Sequence, residues 1–137
     1  MAVDAWPDDG TAPDAEALRT IAEATRAAFP TPFAELAREV RIVVEDWPSD
    51  AILDELRIED AYDLTGLYDG EPLTQRSVEV PGMPSTVTLF RRPILDEWAA
   101  RGDVALRALV SHVTVHEFAH HFGWSDDDIA RIDRWWE

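Results

Sequence analysis

The spacing of apolar and polar positions divides the chain into helical stretches at either end, with extended ones between them. Leu18, Ile21, Ala22 and Ala28 recur at helical intervals, which predicts an amphipathic helix over Ala15–Phe29. Thr11-Ala12-Pro13-Asp14 before it reads as a capping box with proline in the first turn. Pro30 and Pro32 break this helix, and Phe33–Glu39 is a short second one. Val40–Glu45 alternates and is β-branched, the mark of a strand, and Asp46-Trp47-Pro48-Ser49 ends it. Residues 50–65 are acidic and weakly helical around Ile52–Leu56, and Gly66–Leu73 reads as a turn-rich loop. Arg76–Val80 is a further strand, followed by a turn at Pro81-Gly82-Met83-Pro84. Ser85–Phe90 alternates most cleanly of all, and Arg92-Pro93 leads into a helix over 93–101 that stops at Gly102.

From Asp103 to about Phe122 the pattern changes. Leu106, Leu109, Val110 and Val113 line one face, while Ala108, Val115, Ala119 and Phe122 line the opposite one. A helix apolar nearly all round is a buried one, so this element is predicted to be the spine on which the sheet packs. Ile129–Trp136 is a short closing helix whose Ile132, Trp135 and Trp136 lock the turn after Gly123. With no repeat, low-complexity tract or linker, residues 1–12 read as a flexible tail and 13–137 as a single domain.

Composition narrows the function. The absence of cysteine excludes a disulfide framework and a thiolate metal site. A formal charge of −16 argues against binding a nucleic-acid backbone, whose affinity comes from cationic contacts. The same charge favours solubility, and would draw basic peptides or cations to an acidic cleft. Met1–Asp9 has neither the basic nor the apolar region of a signal peptide, and no apolar run reaches membrane-spanning length. The expectation is a cytoplasmic monomer with no membrane partner.

Within the apolar helix lies Val115-His116-Glu117-Phe118-Ala119-His120-His121-Phe122-Gly123-Trp124-Ser125-Asp126. At about 100° per residue, His116 and His120 stand one turn apart on one face. Both can reach a single ion at the roughly 2.0–2.1 Å of a zinc–nitrogen bond. Glu117 points beside such an ion, where it can accept a proton from a metal-activated water. Gly123 can take positive φ and turn the chain back, bringing Asp126 to the same ion. Two histidines, a carboxylate and an open fourth position describe a catalytic zinc site rather than a structural one. The plainer alternative makes His116 and His120 hydrogen-bonded core histidines. Asp126 also sits in a capping box for the last helix, Ser125-Asp126-Asp127-Asp128, and Asp127 or Asp128 would substitute for it at a spacing that fits less well.

The His-Glu-x-x-His-x-x-Gly-x-x-Asp pattern resembles the zincin metallopeptidases, its Asp standing where metzincins carry a third His, as in snapalysin. Asp46-Trp47-Pro48, Gly66-Leu67-Tyr68-Asp69-Gly70, Pro72-Leu73-Thr74, Thr88-Leu89-Phe90-Arg91 and His116–Asp126 follow one another with suitable gaps. Together they resemble the bacterial minimal zincins over about residues 30–133. The resemblance implies an α+β fold with a short mixed sheet on a buried active-site helix. It also implies one zinc per chain on His116, His120 and Asp126, with Glu117 as general base. None of the 11 residues after Asp126 is methionine, so the chain departs from the larger metzincins and their Met-turn.

Other candidates are weighed against plainer roles. A helix cannot curl three residues at four-residue intervals onto one tetrahedral ion, so His112 reads as a neighbour of the site or a satisfied core histidine. His121 lies off the ligand face and reads as a cap on nearby carbonyls. Tyr68 and Arg76 are candidate oxyanion donors, with loop anchoring the stronger role for Tyr68. The leading reading is a small zinc-dependent hydrolase of peptide bonds, with Ser85–Phe90 as an edge strand that an extended peptide joins. Its rival is a zincin-like module that holds metal and binds a peptide or protein partner without cleaving it. A third reading uses the histidine stripe structurally, with no metal.

Overall fold

The computed structural model describes residues 12–70 and 85–124. Five helices and three strands follow one another as α1 (Ala15–Ala27), α2 (Phe33–Leu36), β1 (Arg41–Glu45), α3 (Asp50–Leu56), β2 (Gly66–Asp69), β3 (Thr86–Phe90), α4 (Arg91–Arg101) and α5 (Leu106–His121), with a 3-10 turn at Ala61–Asp63. This is an α+β fold. Among the described residues, no helix is long and apolar enough to cross a membrane.

The sheet has the order β1-β3-β2, with β1 parallel and β2 antiparallel to β3. Two expectations are corrected here. Gly66–Asp69 is a strand, because pairing with β3 satisfies its backbone where local turn residues alone argue for a loop. Ser85–Phe90 is not an edge: β3 is hydrogen-bonded on both sides and sits at the centre of the sheet. Its alternation is that of a central strand with one covered face. Val87 and Leu89 are fully buried, while Thr86 and Thr88 are half-buried on the other side. The register sets Ile42, Val87 and Tyr68 in one row across the sheet and Val44, Leu89 and Gly66 in the next. Arg76–Val80 and the closing helix Ile129–Trp136 lie outside the described residues.

The spine is α5, which touches α1, α4, β2 and β3. Its buried residues Leu106, Leu109, Val110, Val113 and Phe118 join Leu18 and Ala22 of α1 and Ile42, Val87 and Leu89 of the sheet in one core. It begins at Leu106, later than the expected Asp103, and no side chain caps it. Burial of its apolar residues, rather than a cap, holds this end. The cap of α1 also differs from expectation. Asp14 Oδ1 accepts from the Ala17 N–H at 2.9 Å, a bond worth about 0.5–2 kcal/mol, and Pro13 precedes the helix. The Thr25 and Ser111 hydroxyls, 2.7 Å apart, pin α1 to α5. The single turn of α2 ends sooner than the expected Glu39. Arg26 reaches across from α1 to the carbonyls of Ala37 and Val40, bracing the turn that leads into β1. Gly102, at φ 73°, stops α4 where the sequence places the stop.

Candidate metal centre

The C-terminal half of α5 carries His112, His116, Glu117 and His120, all half-buried, with the fully buried Phe118 and Ala119 behind them. The rings of His116 and His120 have centres 5.1 Å apart and planes at 78°. With zinc–nitrogen bonds of about 2.0–2.1 Å and tetrahedral angles, two imidazoles on one ion place their ring centres roughly 5.2 Å apart. The spacing of this pair's ring centres matches that of two imidazoles on one ion, and imidazole nitrogen is a natural donor to zinc. The rings of His112 and His116 are 6.3 Å apart, too wide for the same arrangement. Burial lowers the pKa of His112; the charge of Arg101 lowers it further, and that of Glu97 opposes the shift. The imidazole is thus held toward its neutral form beside the α4 ion pair, in which Arg101 Nε lies 2.9 Å from Glu97 Oε2.

A cleft of about 320 Å³ opens over this part of the helix. Gly66, His112, His116 and Glu117 line it from β2 and α5, and Asp63, Glu97 and Arg101 from the 3-10 turn and α4. Gly66 matters because of what it lacks. A Cβ there would stand 2.7 Å from Val113 Cγ1 and 3.1 Å from Glu117 Cγ. Only glycine lets β2 lie this close to α5, and that approach sets the stem of Glu117 against the strand.

Gly123 does what its place in the motif requires. At φ 88° it ends the helix, its N–H donating to the His120 carbonyl at 3.0 Å, while the Trp124 N–H donates to the Ala119 carbonyl at 3.0 Å. This pair of bonds is a Schellman cap, and it turns the chain back immediately after the second histidine. Phe33, Phe122 and Trp124 pack around it, Trp124 edge to face with both phenylalanines and its centre 5.6 Å from that of Phe33. Asp126, together with Asp127 and Asp128, lies beyond the described residues. Among the described residues no three His, Asp or Glu side chains converge on one point. Among the described residues, α5 sets the His116 and His120 rings 5.1 Å apart, and His116 and Glu117 both line the cleft.

His121 points the other way, into the protein, and is fully buried. Its Nδ1 lies 2.8 Å from Tyr68 Oη, and its Nε2 lies 3.3 Å from the Leu36 carbonyl and 3.4 Å from Glu39 Oε1. Tyr68 Oη is in turn 2.9 Å from Ser85 Oγ. A buried polar ring left without partners would cost about 1–3 kcal/mol, and these contacts remove that penalty. The carbonyl-capping role expected of His121 is found at Leu36. Tyr68 is an anchor, its phenol turned to His121 and Ser85. Arg76, the other oxyanion candidate, lies outside the described residues. Gly66 did not stand out as a site residue in the sequence. For Gly66 the signal was the glycine itself, read there as part of a turn.

Compared with known proteins, residues 37–136 match the family model described as zincin-like metallopeptidase. No curated protein sequence matches the chain.

Proposed function

The chain belongs to the zincin-like metallopeptidase family, and from that premise we propose that it is a zinc-dependent peptidase with Glu117 as its general base. The observation that carries the reading is the 5.1 Å separation of the His116 and His120 rings, with Glu117 between them in sequence and lining one cleft with His116. His116 and His120 would hold the ion, with Asp126 completing the set from the chain that Gly123 turns back. Zinc, when bound, supplies Lewis acidity that polarises a carbonyl and lowers the pKa of water to about 7. Glu117 accepts the proton of the attacking water at its carboxylate and then delivers it to the leaving amine.

The substrate strand belongs on β2. β3 is paired on both sides, whereas β2 pairs only with β3 among the described residues, and its Gly66 abuts Glu117. A peptide added along β2 would pass the carboxylate. Asp63 and Glu97 at the cleft, in a chain of charge −16, favour basic side chains on that peptide. The test is elemental analysis of protein purified without chelator, followed by a peptide-library digest with and without chelator. One zinc per chain and chelator-sensitive cleavage are expected. Zinc without cleavage would favour the binding module, and absence of zinc would overturn the reading.

A further inference from the structure

We propose that Tyr68 is a positioning residue: by holding His121 it sets how α5 lies on β2, and so where Glu117 and His120 stand. The proposal rests on the peptidase reading above. Its basis is a match of two periods. Gly66 and Tyr68 are two residues apart on one face of β2, a separation of about 6.5–7 Å. Glu117 and His121 are one turn apart on α5, about 5.4–6 Å. The first pair meets where Gly66 admits the stem of Glu117, and the second where Tyr68 Oη meets His121 Nδ1 at 2.8 Å. The core holds α5 as a body, and these two contacts, one turn apart, set its last turns against β2.

The hydrogen bonds run in one direction. His121 Nε2 faces two acceptors, the Leu36 carbonyl at 3.3 Å and Glu39 Oε1 at 3.4 Å, so in the neutral ring it carries the proton. Nδ1 then accepts from the Tyr68 hydroxyl, and Tyr68 Oη accepts from the Ser85 hydroxyl at 2.9 Å. The ring is tied to β2 on one side and to the end of α2 on the other. It directly follows His120 and lies one turn beyond Glu117. Movement of this last turn would therefore be felt at both.

The experiment compares Tyr68→Phe with Ser85→Ala. The first removes the bond to His121; the second removes a bond of the same network but leaves that one in place. Melting temperature of the metal-free protein, the zinc dissociation constant by chelator competition, and kcat and KM on a cleaved peptide are measured for each. Tyr68→Phe is expected to weaken zinc binding about 10-fold, as loss of a ligand's support typically does. Its kcat should fall by about 10- to 100-fold, the scale of a small misplacement, with KM nearly unchanged. Ser85→Ala should lower the melting temperature comparably and leave zinc affinity and kcat near the parent's. On a Glu117→Gln background, Tyr68→Phe should cause little further loss of kcat. Should Tyr68→Phe not fold, His121→Phe tests the same bond, because it keeps a buried ring and withdraws the acceptor from Tyr68. Equal losses of zinc affinity in Tyr68→Phe and Ser85→Ala, in step with melting temperature, would overturn the proposal. A parent that binds zinc but cleaves nothing would instead refute the peptidase reading, and the affinity comparison would still decide whether Tyr68 positions His120.

Discussion

The histidines of α5 form two pairs with the same spacing in sequence and different geometry in space. His116 and His120 stand 5.1 Å apart at their ring centres; His112 and His116 stand 6.3 Å apart. The backbone offers each pair the same turn of helix, so the difference comes from what surrounds the side chains. His112 lines the cleft beside Glu97 and Arg101 of α4, whereas His120 stands two turns further on, where Gly123 ends the helix. A four-residue interval lets two rings approach, and the neighbours decide which pair comes close.

The largest effects should come from breaking that asymmetry. His116→Ala or His120→Ala is expected to abolish stoichiometric zinc by elemental analysis, while His112→Ala keeps one zinc per chain. Loss of zinc in His112→Ala with retention in His120→Ala would mean that the wrong pair has been chosen. Asp126→Ala should weaken binding strongly; if Asp127→Ala does so instead, the third ligand is misassigned.

Gly66→Ala should come next. Its methyl would meet Val113 Cγ1 at 2.7 Å, and a β-branched helical side chain has little freedom to step aside. Overpacking of this kind costs about 1–3 kcal/mol, so the melting temperature should fall by several degrees. Hydrolysis should fall further than stability, because Glu117 is the other side chain displaced. A variant with parent-like turnover would show that β2 does not set the carboxylate.

A smaller effect is expected from chelator. Anything that binds only the native state stabilises it, so removal of metal should lower the melting temperature. The cooperative transition should survive, since the core of α1, α5 and the sheet needs no ion. The smallest effect concerns pH. The pKa of His112 is lowered in the folded protein, chiefly by burial. As pH falls through the ordinary value of 6.5, the unfolded chain takes up a proton before the folded one does, and stability is lost until the folded pKa is passed. His112→Asn should flatten this part of the stability–pH curve in metal-free protein.

What could be read from the sequence was whatever depended on local periodicity. The apolar run of α5, the alternation of β3 and the glycine stop of α4 are properties of a few consecutive residues, and all three were visible. The positive φ of Gly123 was visible too, because the motif has a use for it. What escaped depended on partners distant in the chain. Gly66–Asp69 looks like a loop until β3 is laid beside it, and β3 looks like an edge until β2 is. Tyr68 could be weighed as anchor or oxyanion donor, but only the fold brings it to His121, 53 positions along the chain. Of the site itself, the helical histidines and Glu117 could be placed from spacing. The close approach of β2 that backs them could not.

Glu117 is the residue of the motif that metal binding does not need and hydrolysis does. Glu117→Gln keeps the shape of the side chain but cannot accept a proton. Cleavage of a susceptible peptide should be compared with zinc content and melting temperature for this variant and the parent. Unchanged zinc and stability with cleavage reduced by about 10²–10⁴-fold is the predicted result. Equal cleavage by the two proteins would contradict the account, because the activity would then come from somewhere other than this helix.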